Sequence, residues 1–474
     1  MSTRVLTVLL VMGMSLPGVA GAGLALTEAV DRALARNHDL AAQGHALDAA
    51  VWAHRQAKAQ LLPSFYFQSS YTRLDEETVR RANAFGREIT FFFPDSTGEF
   101  QAETVEIPQT VFRNGYETSI SAQMLLLSPA VWNGVSLTSA SKDAAYWNKE
   151  AERQETVHRT LTSFLELLKA RSLVSVQEGY VDLARGNAAQ AERLYNVGRN
   201  SEADLLRWRV EEARQTGALS RARSAEKVAA LTLQNVLGAE PRETIEADTL
   251  LPPSLAGEIR RFRAWADEEW DRFEETPLDE VISANPTLRV LGSTQRIAQI
   301  ENRQSVTNFL PTISLNGSYG WQTNDTWEAD GEKAWSATAA LTLPIFTSFS
   351  NYSALQVTRA RVEKAQEDDE AGRRALLLQA EAARTSIRSN AEQLRLARSS
   401  LESARRNQEI RRNSYALGRL TNLEWIDANL ALQEAERTHT SAYYDLIIAI
   451  ADYYRARGEI FDLVNDPGSM RAKE

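Results

Sequence analysis

Cysteine is absent from this chain of 474 residues. Its absence excludes disulfide bonds, thiolate metal sites and a thiol nucleophile, and also a lipid-modified cysteine at the mature N-terminus. Basic residues are in the minority, because 53 Lys and Arg stand against 63 Asp and Glu and leave a net charge of -10. This acidic balance argues against a nucleic-acid-binding protein, which normally presents a basic face.

Long hydrophobic runs are confined to the start of the chain. Arg4 precedes the apolar stretch VLTVLLVMGMSLPGVA, and small residues then follow up to Ala22. This pattern predicts a secretory signal peptide over residues 1–22, cleaved after Ala22. No later run approaches the roughly 18 uninterrupted apolar residues of a membrane-spanning helix. We therefore expect an exported protein that is not anchored by a transmembrane helix.

Motifs of catalysis are also missing. The chain has no phosphate-binding glycine loop, no Gly-x-Ser-x-Gly elbow and no His-Glu-x-x-His sequence. The histidines are scattered along the chain, at His38, His45, His54, His158 and His439. The first three are too irregularly spaced to converge on one helix turn as metal ligands. The sequence therefore predicts neither an enzyme nor a cofactor or metal site.

What the chain does contain is an internal duplication. YNVGRNSEADLL, beginning at Tyr195, returns as YALGRLTNLEWID at Tyr415, and three other segments return in the same order. The earlier pairs are LTEAVDRALARNHDL with LDEVISANPTLRV, QLLPSFYFQSSYT with NFLPTISLNGSYG, and SISAQMLLLSP with SATAALTLPIF. Self-similarity at one long period indicates a duplicated domain. We predict a first repeat over 23–239, a peripheral connecting segment over 240–277, a second repeat over 278–458 and a tail over 459–474.

Around the Leu-Pro pairs, apolar and polar residues alternate with a period of two. This alternation predicts four strands of about ten residues in two β-hairpins, over 63–128 and 311–345. A long polar loop, about Arg73 to Arg113, joins the first pair, and a short one, about Asn324 to Lys333, joins the second. No other part of the chain indicates a second sheet. The strand length and the aromatics near the strand ends favour a bilayer over a soluble sandwich.

Elsewhere the period is helical. Proline-free stretches predict two helices of on the order of 100 Å, Pro129 to Val197 and Ser350 to Leu417. With returning helices they form helical hairpins over 129–237 and 350–457, and shorter helices precede the strands. The second long helix has the heptad spacing of a coiled-coil seam, at Leu376, Ala380, Ala383, Ile387, Asn390, Leu394, Ala397, Leu401 and Ala404.

The repeated tip motif has a structural explanation. Gly198 and Gly418 stand where a helix C-terminus needs a left-handed residue. A hydroxyl residue and an acid three positions later then form a capping box, in the pairs Ser201 with Asp204 and Thr421 with Glu424. Asp427 lies one turn beyond, on the same face as Glu424. It is either a solvated charge near a helix start or a functional residue.

A sheet of four strands in a membrane raises a problem of closure. It has two open edges, unpaired backbone groups cannot face lipid, and four strands are too few for a barrel. The chain is therefore expected to supply strands to a barrel shared with other copies. The alternative is a periplasmic coiled-coil scaffold or adhesin without a channel, whose strands form a soluble sheet.

The signal peptide, LTEAVDRALARN, the repeated Leu-Pro strand entries, the two helical hairpins and the Tyr-x-x-Gly-Arg tips together resemble the TolC-like outer membrane efflux protein family. The resemblance implies a mixed α+β membrane protein, a homotrimer whose twelve-stranded β-barrel continues into a twelve-helix coiled-coil barrel in the periplasm. It implies the exit duct of a tripartite efflux or type I secretion system. The implied partners are a periplasmic adaptor and an inner-membrane pump of the resistance-nodulation-division or ABC type.

The resemblance also implies roles for residues of the tips. The acidic ring of the family's periplasmic gate matches Glu424 and Asp427, and its hairpin-tip links match Asp204 and Tyr415. A basic residue that the family can carry after the second tip glycine is Leu420 in this chain. The sequence does not indicate whether the transported substrate is a drug, a metal ion or a protein.

Overall fold

The computed structural model describes residues 23–83, 88–94, 96–106, 111–240, 243, 245–324, 332–417 and 419–464. The predicted signal peptide, Gly418 and the last ten residues of the predicted tail lie outside the described residues. The chain forms two compact units. One comprises Leu47–Ala145 and Gly292–Asp369, and the other comprises the remaining segments, up to Ala46, Tyr146–Leu291 and from Glu370 onward.

The described strands and helices follow the order that the sequence indicates. The strands are β1 (Ser64–Arg73), β2 (Glu88–Pro94), β3 (Phe100–Glu106), β4 (Asn114–Leu127), β5 (Thr312–Asn324) and β6 (Glu332–Thr342). The helices are α1 (Leu26–Arg36), α2 (His38–Ala59), α3 (Glu76–Ala82), α4 (Pro129–Asn196), α5 (Glu202–Val236), α6 (Pro253–Ala264), α7 (Asp267–Glu275), α8 (Leu278–Val281), α9 (Pro286–Thr307), α10 (Ser350–Ala416) and α11 (Asn422–Arg457). None of these helices is both long and apolar enough to cross a membrane.

The four predicted strands form one antiparallel sheet in the order β1-β4-β5-β6. Its register aligns apolar side chains across the strands, so that Phe67 pairs with Ile120, Ile120 with Tyr319, and Tyr319 with Trp335. Cross-strand rows of this kind stabilise a sheet. β1 and β6 are its outer strands, and β1 is exposed along its whole length. Four strand ends adjoin long helices in sequence, and all four lie at one end of the sheet. The helices that attach there are α2, α4, α9 and α10.

The segment between β1 and β4 is not the plain loop that the sequence predicted. It contains α3 and a second sheet in which β2 pairs with β3 in antiparallel register. The expectation of no second sheet is therefore wrong. Three consecutive phenylalanines, Phe91 to Phe93, interrupt the alternation by which strands are recognised. Asp75 caps α3 by accepting a hydrogen bond from the Thr78 amide at 3.0 Å.

The hydrophobic core of the other unit joins α1, α4, α10 and α11. The predicted seam of α10 is part of it, with Leu376, Ala380, Ala383, Ile387, Leu394 and Ala397 buried in this core. Within the segment 240–277, which the sequence predicts to be a connection, α6 and α7 also bury residues in this core. Leu255, Ile259 and Phe262 follow helical spacing, and Trp270 joins them. The predicted tail begins with a buried turn of 3-10 helix, Ile460–Leu463.

Polar contacts tie α4 to α11 within this unit. Lys169 pairs with Asp445 at 2.6 Å, and the Tyr180 hydroxyl donates to Glu436 at 2.9 Å. Nearer the hairpin tips, three glutamine side chains form a closed cluster. It joins α4, α5 and α11 through Gln177, Gln215 and Gln433, at distances of 2.6–2.9 Å. Buried polar groups that satisfy one another fix the register of packed helices.

Candidate functional site

Both helical hairpins turn in the same way at their tips. Gly198 follows α4 with a φ of 71°, and the next amide, Arg199, donates to the Leu194 carbonyl at 2.8 Å. This is the glycine-dependent C-terminal closure that the sequence predicts. At the second tip the Arg419 amide donates to the Ser414 carbonyl at 3.0 Å across the same five-residue span. The matching glycine, Gly418, lies outside the described residues.

The returning helices begin at the predicted caps. The Ser201 hydroxyl accepts from the Asp204 amide at 3.2 Å and donates to the Asp204 carboxylate at 2.7 Å. At the second tip the box is reciprocal, because Thr421 Oγ1 accepts from the Glu424 amide at 3.3 Å and the Thr421 amide donates to Glu424 at 3.0 Å. The Glu424 carboxylate therefore satisfies backbone groups at the helix start.

A side chain that the sequence analysis did not single out joins the two tips. Tyr415 donates its hydroxyl hydrogen to Asn422 Oδ1 at 2.5 Å, and Trp208 Nε1 lies 3.5 Å from the same oxygen. The Asn422 side chain also bonds the Asp204 carboxylate, and this bond, with that from Ser201, holds the pKa of Asp204 below its ordinary value. The predicted link residues Asp204 and Tyr415 thus meet through Asn422, within one chain.

Two buried tryptophans pack beneath this polar link. Trp208 of α5 is 2% exposed and Trp425 of α11 is 4% exposed. Tyr415 stacks on Trp425 with ring centroids 5.6 Å apart and planes 14° apart. Leu420, which stands where the family can carry a basic residue, packs against this cluster instead. Burial also raises the pKa of the Tyr415 hydroxyl, which remains a hydrogen-bond donor.

Glu424 and Asp427 occupy different chemical situations. Glu424 is committed to the capping box, and the hydrogen bonds from Thr421 lower its pKa. Asp427 is exposed, and the described residues give its carboxylate no hydrogen bond or ion pair. Helix capping therefore accounts for an acid at Glu424, whereas the described contacts give no structural reason for an acid at Asp427. Their convergence in a ring stays a prediction.

The link through Asn422 had only a weak signal in the sequence. Asn422 follows the N-cap Thr421 directly, a position at which polar residues are ordinary. A tryptophan early in each returning helix, Trp208 and Trp425, is the stronger sign that the two tips share a core. Among the described residues, no cluster of three or more His, Cys, Asp or Glu could hold a metal ion.

Several known proteins are similar to this chain in sequence or in fold. The alkaline protease secretion protein AprF of Pseudomonas aeruginosa is 24% identical over 312 residues, covering 64% of this chain and 61% of AprF. The outer membrane channel CmeC of Campylobacter jejuni has a TM-score of 0.75 at 17% identity, covering 94% of this chain and 88% of CmeC. VceC, an outer membrane protein of Vibrio cholerae, has a TM-score of 0.71 at 15% identity, covering 91% and 96%.

The two structural likenesses show a shared fold, in which long helices and a small number of strands combine as the sequence predicted. The chain spans about six-tenths of AprF, the curated relative it matches. The family model for outer membrane efflux proteins matches residues 29–239 and 278–459. The predicted resemblance is therefore confirmed, and the chain belongs to the outer membrane efflux protein family.

Proposed function

We propose that three copies of this chain assemble into the outer-membrane exit duct of a tripartite efflux or type I secretion system. The duct conducts substrates passively across the periplasm and the outer membrane and is gated at the helical hairpin tips. The observation that best supports a gate is the exposed position of Asp427. Thr421 and Glu424 cap α11 without it, so the carboxylate has no role in the helix cap. Family membership supports the outer-membrane location.

The sheet supports assembly from several copies. β1 and β6 leave two edges open in the chain, and β1 is exposed on both faces. Such edges cannot face lipid, because their backbone groups would lack hydrogen-bond partners. Three copies placed edge to edge would supply a closed barrel of twelve strands, and the attached helices would supply twelve helices at one end. Closure of this kind requires rotational symmetry, which a homotrimer provides.

The tips support a gate. Around a threefold axis, Asp427 from three chains would form one acidic ring, and Glu424 would form a second ring one turn away. Rings of carboxylates favour cations in channels. The Asn422 link holds the second hairpin against the first in each chain. Opening requires α10 and α11 to move away from α4 and α5, so this link and the glutamine cluster stabilise the closed state.

The proposed partners are a periplasmic adaptor and an inner-membrane pump of the resistance-nodulation-division or ABC type. The tips present apolar side chains to solvent, among them Val197, Leu417 and Leu423. Exposed apolar groups at the end of a helical hairpin suit contact with another protein. AprF is named for protease secretion and CmeC as a channel. The transported substrate of this chain, a drug, a metal ion or a protein, is left open by these likenesses.

Planar-bilayer conductance of the purified protein tests the gate. Asp427→Ala should reduce cation selectivity and weaken block by a trivalent cation added on the periplasmic side, because the ring loses its charge. Trimerisation should be unchanged, since Thr421 and Glu424 cap α11 without Asp427. Glu202→Ala is the matched control, because Glu202 is an exposed acid at the first tip.

Equal block of wild type and Asp427→Ala would mean that Asp427 is only a solvated helix residue. The preparation itself tests assembly, because the proposal requires a homotrimer in mild detergent. Recovery of a monodisperse soluble monomer without detergent would overturn the channel function.

A further inference from the structure

The ribbon formed by β2 and β3 exposes phenylalanines on both of its faces. Phe91 pairs with Glu103 and Phe93 with Gln101, so the first and third phenylalanines share one face. Phe92 and Phe100 lie on the opposite face, where they pair with Ala102 and Pro94. The four rings are between 44% and 71% exposed. Apolar surface of this density marks a contact with something else.

The chain path places this ribbon at a definite end of the four-stranded sheet. It lies between Arg73, the last residue of β1, and Asn114, the first residue of β4. The long helices attach to the strands at the other end of the sheet. The root of the segment is fastened, because the Asn83 side chain donates to the Val111 carbonyl at 2.8 Å and accepts from its amide at 3.2 Å.

We propose that the ribbons of three chains pack against one another and form an aromatic constriction over the outer opening of the duct. In this arrangement the Phe91 and Phe93 face of one copy lies against the Phe92 and Phe100 face of the next. The inference rests on the proposed homotrimer and adds a second narrow point to it, beyond the strand ends to which no long helix attaches.

Symmetry favours another copy of the chain as the occupant. In a rotational ring, each copy contacts its two neighbours through two different surfaces. A ribbon with two apolar faces fits that requirement, whereas a flat partner would cover only one face. The ribbon also follows β1, the open edge at which a neighbouring copy must join the sheet. Among the described strands, β2 and β3 pair only with each other, and adjacent ribbons can protect the two outer edges that this leaves.

Lipid fits this surface less well. The phenylalanines lie between two acids along the ribbon, Glu99 beside the turn and Glu103 opposite Phe91. Acidic side chains on both sides of an apolar band are costly to place in a bilayer. In a ring of ribbons the same acids can remain in water while the rings pack together. An apolar constriction of this kind hinders ions by excluding water from the narrowest point.

Disulfide cross-linking tests the packing directly, because the chain has no cysteine of its own. The variant Phe93→Cys/Phe100→Cys places its two thiols on opposite faces of one ribbon, so they cannot bridge within a chain. Oxidation of the trimer should then link all three chains covalently. Each single variant, Phe93→Cys or Phe100→Cys, is the matched control and should not yield a covalent trimer.

The consequence for conduction has a separate measurement. With the helical tips open, replacing Phe91, Phe92, Phe93 and Phe100 together by serine should raise single-channel conductance roughly twofold or more, since the ribbon ring is then the narrowest point and limits the current. Block by a trivalent cation on the periplasmic side should be unchanged, because that site belongs to the helical tips. Unchanged conductance in this variant would overturn the constriction.

The outcomes separate this proposal from the proposed function. Absence of a detergent-solubilised trimer would overturn both. An intact conducting trimer without covalent trimers, whose introduced thiols all react with a water-soluble maleimide, would overturn only the ribbon packing. Thiols that become protected only after reconstitution into phosphatidylcholine vesicles would assign the ribbon to lipid and also overturn the proposal.

Discussion

Replacing Asn422 by leucine should loosen the closed tip while leaving assembly intact. Leucine keeps much of the side-chain volume but removes the acceptor for Tyr415 and Trp208 and the donor for Asp204. The Tyr415 hydroxyl is partly buried against Trp425, so it loses its partner in a place where water replaces it poorly. The two hairpins then lose their polar connection at the tip.

The size of the effect follows from the three contacts. The Tyr415 bond at 2.5 Å is worth about 1 kcal/mol net. The Trp208 contact at 3.5 Å is long and adds little. The bond to Asp204 is discounted because its carboxylate is partly exposed and screened. We expect a loss of about 1–2 kcal/mol per chain, which shifts the equilibrium between closed and open tips by roughly 5- to 30-fold.

Single-channel recording of the trimer measures this shift as a higher open probability or conductance. Asn413→Leu is the matched control, since Asn413 is an exposed asparagine of α10 two residues before Tyr415. Identical gating of the Asn422→Leu, Asn413→Leu and wild-type trimers would show that Asn422 does not hold the tip closed.

A charge variant at the same position gives an independent check. Asn422→Asp keeps the shape but places a second carboxylate beside Asp204, and like charges held close repel. The tip should therefore be open at neutral pH and close again at acidic pH, once the coupled pair takes up a proton. Closure at neutral pH would show that Asn422 does not contact Asp204 in the assembled protein.

Two further predictions concern the same link. Tyr415→Phe keeps the stack on Trp425 but removes the hydroxyl, so conductance should rise modestly, for a loss of about 1 kcal/mol; unchanged conductance, alone and combined with Asp204→Ala, would contradict the link. The wild-type tip should stay closed as the pH falls to about 5. The hydrogen bonds of Asp204 lower its pKa below the ordinary value of 3.8. Their contribution to the stability of the closed tip is therefore complete above that value, and it is lost only as the pH falls through the lowered pKa. Opening in step with the titration of histidine would contradict this assignment.

Local patterns in the sequence were sufficient for much of the fold. Seven of the nine predicted heptad positions of α10 are buried, because steps of three and four residues place them on one face, whatever the partner helix. The caps at Ser201 and Thr421 are equally local, since each satisfies amides within three residues. The division into two repeats with the predicted boundaries stays a prediction.

The parts that sequence reasoning missed depend on contacts between distant segments. Asn422 bonds Asp204 and Trp208, more than 200 residues away, so no local spacing reveals it. The helical spacing of Leu255 and Ile259 is hard to recognise in a segment with dense charge and a Pro-Pro pair. Both residues are buried in the core that they share with distant helices of the chain. The gate role that we propose for Asp427 would depend on symmetry-related copies, which no local spacing in one chain reveals.

The open edges of the sheet have a consequence for inheritance. If β1 and β6 are completed only by neighbouring copies, subunits combine while they fold and cannot be exchanged afterwards. A cell that makes equal amounts of two alleles would then build mixed ducts, and about seven in eight threefold assemblies would contain at least one altered subunit. An allele that loosens one tip would therefore behave as dominant, whereas an allele that prevents folding would be hidden by the intact copy.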